Sequence, residues 1–446
     1  MIELPEEILY QILSHYEPPK RRNEPCEEDE SLRLKTLAAS CRTCRTFNRL
    51  TVPMLYQILD LEHESEVHLH MLLLTIAHRK HLAEKIEEVT MPAFKPRSLS
   101  LDDPIYSTTA ATLITAVRGS HLSDRSTRRI VKGLQQKQPD AYLALLLALC
   151  PSLRIWHFDI SEPIDGSLLM DVVGDANITT DCLTQLKEAT AKHSAGGRHI
   201  TDLTDLAPLL LHPSLESLCI HRAYCDRATK EMPYQVASYK YPAGLRSLEL
   251  QSSHIDAEGL RTILTSCPSI QALAMHWADV ATGVNGFVEW GELGEILRQY
   301  GYKLKKLKLD ISGMDSTTGR PSSTLPVGNL QKLGHLQELA LPADALNGVG
   351  DCHFSMDALG VFEPQLPGTL RTLEISTVMS AHRETLPTMI ESFTATSNPR
   401  STSLERILIH QQEDLPSFLA LIKDNKGHGW NLSATPDGNV LLSRAE

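Results

Sequence analysis

The feature that most constrains the fold of this chain is a repeated hexapeptide with leucine or another apolar residue at positions 1, 4 and 6. Eight copies occur, and their starts are separated by 62, 30, 25, 34, 32, 34 and 34 residues. The copies are LRIWHF (153), LESLCI (215), LRSLEL (245), IQALAM (270), LKKLKL (304), LQELAL (336), LRTLEI (370) and LERILI (404). A weaker copy, IEEVTM, begins at residue 86. A repeat of nearly constant period predicts a stack of similar supersecondary units.

The second half of each copy alternates apolar and polar residues, which is typical of a β-strand with one buried face. One such strand cannot bury its apolar face alone, so neighbouring units must stack on a shared core. Segments between the copies, such as residues 256–269, read as helices. We therefore predict an α/β solenoid with parallel strands whose other face is open to a ligand. The 62-residue gap predicts a degenerate unit or an insertion.

Two further segments predict elements of this domain. The run AYLALLLALC at 141–150 is far too short for the roughly 20 residues that span a bilayer, so we expect a core helix and no membrane association. The segment GWNLSATPDGNVLLS at 429–443 places a Pro-Asp-Gly turn between two short alternating runs. This pattern predicts a hairpin that caps the last repeat and covers its open edge.

The start of the chain, LPEEILYQILSHY at residues 4–16, predicts a short amphipathic helix with Leu4, Ile8, Ile12 and Leu13 on one face. Pro5 is tolerated in the first turn. A helix of about 12 residues is marginal alone in water, so either the rest of the chain or another protein must cover this face. A charged, polar and mobile loop is predicted at residues 18–30, followed by a helical stretch over 31–59 that Pro53 ends or interrupts.

This arrangement resembles an F-box. The resemblance is carried by LPEEILYQIL and LAASCRTCRTFNRLTVPMLY, which contain Leu-Pro-x-Glu-Ile, a Cys-Arg-x-x-x-Arg centre and a Pro-x-Leu-Tyr end, and it covers about the first 57 residues. One departure is the charged segment at 18–30, which is longer than the usual F-box allows. It either weakens docking or bulges outward, since lengthening a flexible loop costs only about 0.6 kcal/mol per doubling.

The resemblance implies that the module docks on the Skp-type adaptor of a cullin ubiquitin ligase. The residues that it implies for this contact, or for holding the surface, are Leu4, Pro5, Ile8, Ile12, Leu13, Leu37, Cys41, Leu50 and Pro53. The alternative is that these residues cap the downstream domain within the same chain, because amphipathic helices usually bury their stripe there.

The remainder of the chain is similar to the cysteine-containing leucine-rich repeats of F-box proteins. The residues that carry this likeness are HIDAEGLRTILTSCPSIQALAM, and ALCPSLRIWHF repeats the same Cys-Pro-x-Leu corner. Most of the periods, at 30–34 residues, are longer than the usual 20–29. We accordingly expect an F-box domain at residues 1–57 and a leucine-rich-repeat-like, substrate-binding domain at residues 58–446.

Charge and cysteine content narrow the partners. The formal net charge of −12 repels a phosphate backbone, which argues against nucleic acid and favours protein partners. The nine cysteines are an odd number, spread mostly among aliphatic neighbours, as expected for reduced thiols in the cytoplasm or nucleus. The start of the chain contains no basic segment followed by an apolar run and a cleavage site, so we expect no secretory signal peptide.

The chain contains few signs of catalytic or metal chemistry, so we expect no catalytic residue, no cofactor and no metal. Cys41 and Cys44 have a zinc-ligand spacing but lack a second ligand pair, and Cys41 is better explained as a small core residue on a helix. Five histidines, His63, His68, His70, His78 and His81, are more typical of a solvated helix face. The common nucleotide, hydrolase and zinc-protease motifs do not occur.

Recognition is expected on the open strand face, at the third, fifth and seventh position of each unit. The candidate substrate-binding residues there are Glu249, Gln251, His276, Lys306, Lys308 and Glu374. Lys306 and Lys308 lie in the most basic strand and suit an acidic or phosphorylated motif, although solvated lysines are the simpler interpretation.

The expected function is therefore substrate recognition for a Skp/cullin/F-box E3 ubiquitin ligase, with an unknown protein substrate. Two alternatives remain open. One is a non-catalytic leucine-rich-repeat scaffold that engages no ligase, and the other is an enzyme that uses the histidine cluster. Co-purification with the adaptor and metal analysis of the purified protein discriminate among the three.

Overall fold

The structure is a computed structural model that describes residues 5–16, 27–62, 66–91, 104–160, 168–179, 182–192, 200–225, 243–278, 289–313, 323–324, 326–347, 349–350, 366–378, 403–411, 430–435 and 439–444. The chain forms two compact units. The first comprises Met1–Asp159 and Gly166–Ala189, and the second comprises Ile160–Asp165 and Thr190–Glu446. Both contain helices and parallel strands, which confirms the predicted α/β class.

The first unit is mainly helical. Its helices are α1 (Glu6–Ser14), α2 (Glu27–Ser40), α3 (Arg45–Gln57), α4 (Glu66–His78), α5 (Lys80–Ala83), α6 (Pro104–Arg118), α7 (Asp124–Gln135), α8 (Pro139–Leu149) and α9 (Leu168–Thr179). Its strands β1 (Ile58–Asp60), β2 (Glu88–Met91) and β3 (Ile155–Asp159) pair in parallel in that order. β4 (Glu188–Lys192) begins in this unit. Every residue of α8 from Ala141 to Leu147 is buried, so the prediction of a core helix is confirmed.

The N-terminal helices differ from the sequence prediction in three ways. Residues 17–26 of the predicted loop lie outside the described residues, but residues 27–30 are the first turn of α2 and not loop. Acidic residues suit this position because a helix N-terminus carries partial positive charge. Cys41 lies in a turn between α2 and α3 and not on a helix. The helical stretch predicted over residues 31–59 ends in strand β1, where the β-branched Ile58 pairs with Glu88.

Pro53 neither ends nor interrupts α3, which runs through it to Gln57. Proline removes one backbone hydrogen bond from a helix interior. The packing of Met54, which is 4% exposed, on the next residue compensates for that loss. The prediction that Pro53 ends or interrupts the helix is therefore wrong.

The second unit contains most of the strands. They are β5 (Thr201–Asp202), β6 (Ser217–His221), β7 (Ala223–Cys225), β8 (Ser247–Ile255), β9 (Ala272–Ala278), β10 (Lys306–Gly313), β11 (Ser323–Thr324), β12 (Glu338–Pro342), β13 (Val349–Gly350), β14 (Thr372–Val378), β15 (Arg406–Gln411), β16 (Trp430–Ala434) and β17 (Val440–Arg444). The helices are α10 (Ala207–Leu210), α11 (Ala257–Ser266), α12 (Trp290–Tyr300) and α13 (Ala343–Asn347). β6, β8, β9, β10, β12, β14 and β15 pair in parallel in that order.

Each hexapeptide of the second unit enters a strand at its third residue, so the repeat sets which side chains face the core. In LKKLKL, for example, β10 begins at Lys306, two residues after Leu304. Leu304, Leu307 and Leu309 are each 1% exposed, whereas Lys306 and Lys308 are exposed. The strand alternation therefore buries positions 1, 4 and 6 and leaves positions 3 and 5 outside.

The 62-residue gap contains a degenerate unit, which is one of the two alternatives that the spacing predicted. The segment LKEATA at 186–191 enters β4 at its third residue, and its Leu186, Ala189 and Ala191 are buried. The start of LKEATA at Leu186 divides the 62-residue gap into 33 and 29 residues. Two alanines replace the larger aliphatic residues that the other copies have at positions 4 and 6, so this copy of the hexapeptide is degenerate.

The predicted helix and hairpin of the second unit are present. Asp256 is the N-cap of α11, and its side chain accepts a 2.7 Å hydrogen bond from the Gly259 backbone N–H. It ends before Cys267, whose buried thiol donates to the carbonyl of Leu210. β16 and β17 pair antiparallel, and β17 pairs with β15, so the hairpin covers the edge of β15. The turn at 436–438 lies outside the described residues.

Of the helices that the structure describes, none combines the length and apolar character needed to cross a membrane.

Candidate interaction surfaces

The N-terminal helices α1, α2 and α3 share a small apolar core. Leu13 of α1, Leu37 of α2 and Met54 of α3 are 3%, 0% and 4% exposed. Tyr16, Phe47, Leu50 and Leu55 pack around them. Arg49 of α3 also pairs with Glu6 of α1. Each helix contributes a large side chain to the same cluster, and this fixes the orientation of α1.

α1 carries a second apolar stripe that the described residues leave exposed. Ile8 and Ile12, one turn apart, are 40% and 49% exposed, and Tyr10 is 49% exposed. Residues four apart lie on one side of a helix, so Ile8 and Ile12 form a continuous patch. We call Ile8 and Ile12 the α1 stripe. Isolated exposed apolar residues are ordinary, and the α1 stripe differs from them in that its two isoleucines lie in register on one side of the helix.

The other adaptor residues predicted from the sequence occupy different positions. Leu13, Leu37 and Leu50 belong to the core, and Pro5 is the exposed N-cap of α1. Half-buried Pro53 lies within α3. Cys41 is tied to α3, because its thiol lies 2.8 Å from the Thr51 hydroxyl. Leu4 lies outside the described residues.

The outer face of the second unit's sheet carries an open groove of about 260 Å³. Outward residues of β8, β9, β10, β12 and β14 line it, and they are Ser247, Glu249, Ala272, Ala274, Lys306, Lys308, Glu338, Ala340, Thr372 and Glu374. The parallel register aligns them in rows that run across the strands. Small alanine side chains on β9 and β12 form the floor of the groove, and the longer charged side chains around them form its walls.

Most charged groups of this face are paired. Lys306 Nζ lies 2.8 Å from Glu338 Oε1, and both side chains are about half exposed. Such exposed pairs contribute little to stability, at about 0–1 kcal/mol. His410 Nε2 lies 2.8 Å from Glu374 Oε1 on the neighbouring strand.

A second polar group connects β8, β9 and β10. Gln251 Nε2 donates a 2.7 Å hydrogen bond to Glu249 Oε1, and His276 Nε2 lies 4.0 Å from the same oxygen. The other imidazole nitrogen, Nδ1, lies 3.3 Å from Asp310 Oδ2. This hydrogen bond to His276, with a further one from the Ser312 backbone N–H, holds the pKa of the Asp310 carboxyl well below its usual range despite partial burial.

The six predicted substrate-binding residues all lie on this outer face. Glu249, Lys306, Lys308 and Glu374 line the groove. Gln251 and His276 lie one row further along the strands. Asp310 and His410, at the seventh position of their units, and Glu338, at the third position of LQELAL, also lie on this face but are not among the six candidates. The signal for Glu338 was present, because LQELAL has the same register as its neighbours.

The residues considered for metal chemistry do not form a site in the described part of the chain. There, no group of three or more His, Cys, Asp or Glu side chains is arranged to hold a metal ion. The solvated-face interpretation fits His68, His78 and His81, which are exposed, whereas His70 is 2% exposed and its Nε2 lies 2.5 Å from the Thr109 hydroxyl. His63 lies outside the described residues.

Comparison of the chain with protein-family models and with curated proteins found no match. The resemblance to an F-box and to leucine-rich repeats consequently depends on the residues quoted above. The two surfaces, the α1 stripe and the outer sheet face, are the features from which a function can be argued.

Proposed function

We propose that this chain is the substrate-recognition subunit of a Skp/cullin/F-box E3 ubiquitin ligase. In this proposal, residues 1–57 are an F-box domain that docks on a Skp-type adaptor and, through it, on a cullin. Residues 58–446 are a leucine-rich-repeat-like α/β solenoid that binds the target protein. The chain itself is non-catalytic, because other subunits transfer ubiquitin, and it acts in the cytoplasm, the nucleus or both.

The observation that carries the proposal is the division of α1 into two faces. Leu13 and Leu37 hold the helix within the chain, while Ile8 and Ile12 stay exposed. An adaptor that covers the α1 stripe would gain roughly half of the 1.5–3 kcal/mol for full burial at each isoleucine, because Ile8 and Ile12 are already about half buried. The stripe lies in the segment that resembles the first helix of an F-box.

The regular strands of the second unit support the substrate-binding half of the proposal. Positions 1, 4 and 6 of each hexapeptide are committed to the core, so the outward positions are free to vary without destabilising the array. The groove on this face combines apolar floor and charged walls, which suits a protein segment.

A scaffold without ligase engagement is the second candidate. It is favoured by the packing of Leu13, Leu37 and Leu50 within the chain, because these three residues are part of the surface that the resemblance assigned to the adaptor. In the scaffold, α1 closes the helical module, and the α1 stripe has no obligatory partner.

Co-expression of the full chain with a Skp-type adaptor tests the ligase proposal. Ile8→Asp with Ile12→Asp should reduce adaptor co-purification more than tenfold, since two buried aliphatic contacts are lost and two charges are desolvated. The matched control is Gln11→Asp with Ser14→Asp, which adds the same charges to α1 at positions turned away from the α1 stripe. Equal co-purification of both double variants with the adaptor, or no adaptor at all with the wild type, would leave only the scaffold.

A further inference from the structure

One row of the outer sheet face alternates charged and small residues across five strands. Strand pairing places Glu249 of β8 beside Ala274 of β9, which lies beside Lys308 of β10. Lys308 lies beside Ala340 of β12, which lies beside Glu374 of β14. We call these five residues the charged row. It presents negative, positive and negative charge, separated each time by one alanine.

The geometry of a sheet fixes the spacing of these charges. Neighbouring strands lie about 4.8 Å apart, and each alanine adds one strand, so consecutive charges are about 9.6 Å apart. The three charges therefore span about 19 Å in a line that runs across the strands.

Among the described residues, the carboxylates at the two ends of the charged row are paired with side chains of this chain, whereas the central ammonium is not. Gln251 and His276 contact the Glu249 carboxylate, and His410 contacts that of Glu374. Lys306 is engaged by Glu338, but within the described ranges no acidic side chain forms an ion pair with the exposed Lys308. Alanine on both sides keeps space open beside the Lys308 ammonium.

The spacing of the three charges distinguishes between two extended conformations of a bound segment. A β-strand places same-side residues two apart, at about 6.6 Å, which does not match the row. A polyproline II helix has three residues per turn and rises about 3.1 Å per residue, so its same-side residues recur every 9.3 Å. This conformation also needs no backbone partner, which suits a face whose backbone groups are already paired in the sheet.

We propose that the charged row binds a polyproline II segment of a partner protein that carries a basic, an acidic and a basic residue at every third position. The basic residues pair with Glu249 and Glu374, and the acidic residue pairs with Lys308. Residues between them, including proline, lie over Ala274 and Ala340. This inference rests on the proposed function in one respect, namely that the outer sheet face recognises a protein.

Fluorescence anisotropy with labelled synthetic peptides tests the proposal on the full chain. The probe is Arg-Pro-Pro-Glu-Pro-Pro-Arg, and the matched control, Arg-Pro-Glu-Pro-Arg-Pro-Pro, has the same composition with charges at every second position. At low ionic strength, where screening is weak, we expect the probe to bind at least about threefold more tightly than the control. Equal affinities would overturn the proposed spacing.

A charge exchange identifies the central contact. Lys308→Glu should weaken binding of the probe at least about threefold, and a peptide with Lys in place of its central Glu should recover that loss. Lys332→Glu makes the same change in net charge at an exposed residue that does not line the groove and should leave binding unchanged. Equal weakening by both variants, or failure of the Lys-containing peptide to recover binding, would refute the Lys308 contact.

The two proposals fail in different ways. Adaptor co-purification does not involve the charged row, so its absence would overturn the ligase role and leave the peptide result standing. Conversely, equal affinities for the probe and control peptides would remove the charged row as a recognition site without affecting the adaptor experiment.

Discussion

Ile12 and Leu13 are consecutive residues of α1, yet Ile12 is 49% exposed and Leu13 is 3% exposed and packs against Leu37 and Met54. A turn of 100° per residue separates their side chains on the helix. The two residues are therefore separable by mutation, because only Leu13 contributes to the core of the helical module.

The first prediction concerns this pair. Leu13→Ala should destabilise the packing of α1, α2 and α3 by about 2–5 kcal/mol, because it leaves a cavity in a small core. Ile12→Ala, the matched control, should change it by no more than about 0.5 kcal/mol. Hydrogen exchange of α2 and α3 amides in the full chain measures both. Equal protection in the two variants would show that Leu13 does not hold α1 in place.

The second prediction compares two helical glycines. A Cβ on Gly294 of α12 would lie 1.8 Å from the Val327 carbonyl oxygen, whereas a Cβ on Gly174 of α9 meets nothing within 4 Å. Gly294→Ala should therefore destabilise by about 1–3 kcal/mol through forced backbone displacement. Gly174→Ala should stabilise by up to about 1 kcal/mol through helix propensity. Urea unfolding followed by circular dichroism checks both, and stabilisation by Gly294→Ala would contradict the close approach.

The third prediction concerns pH. His212 is 1% exposed, and burial lowers its pKa from 6.5 to about 4. Between those values the unfolded state binds a proton that the folded state does not, so stability falls as the pH is lowered through this window. From pH 6.5 to 5.0 the expected loss is about 2 kcal/mol in the free energy of unfolding.

Replacing His212 removes this titration. The free energy of unfolding of His212→Leu should depend less on pH between 6.5 and 5.0 than that of the wild type, in urea titrations at fixed salt. His335→Leu, which changes an exposed histidine, should keep the wild-type slope. Identical slopes for all three proteins would mean that His212 is not buried in its neutral form.

The fourth prediction concerns thiol reactivity. Cys44 is exposed at the start of α3, and hydrogen bonding, chiefly from the Phe47 backbone N–H, lowers its pKa. Burial raises the pKa of the Cys267 thiol to about 12. Since the thiolate is the reactive form, iodoacetamide at pH 8 should alkylate Cys44 well before Cys267. Peptide mass spectrometry over time measures the order, with urea-unfolded protein as the control in which the two rates converge.

The inward or outward direction of the strand side chains was determined by the sequence. The hexapeptide places apolar residues at positions 1, 4 and 6, and a period of two allows only one face to be buried. The sequence therefore predicts Lys306 and Lys308 outside and Leu307 inside, as the structure has them. The core helix at Ala141–Leu147 followed equally from local composition.

Other features depended on contacts between distant residues and could not be read locally. Pro53 continues a helix because packing around Met54 outweighs one missing hydrogen bond, and LKEATA forms a strand although alanine is a weak strand former. On α1, the sequence placed Ile8, Ile12 and Leu13 on one apolar face. Only the packing of α2 and α3 decided which of the three is buried.

The sequence by itself determined which residues of each repeat point outward, because alternation along a strand is a local property of the backbone. It did not determine which outward residues become neighbours across strands, because that depends on how units with different numbers of residues between them are aligned. Glu249, Lys308 and Glu374 are separated by 59 and 66 residues in the chain. Only the hydrogen-bonded register of β8, β9, β10, β12 and β14 brings them into one row.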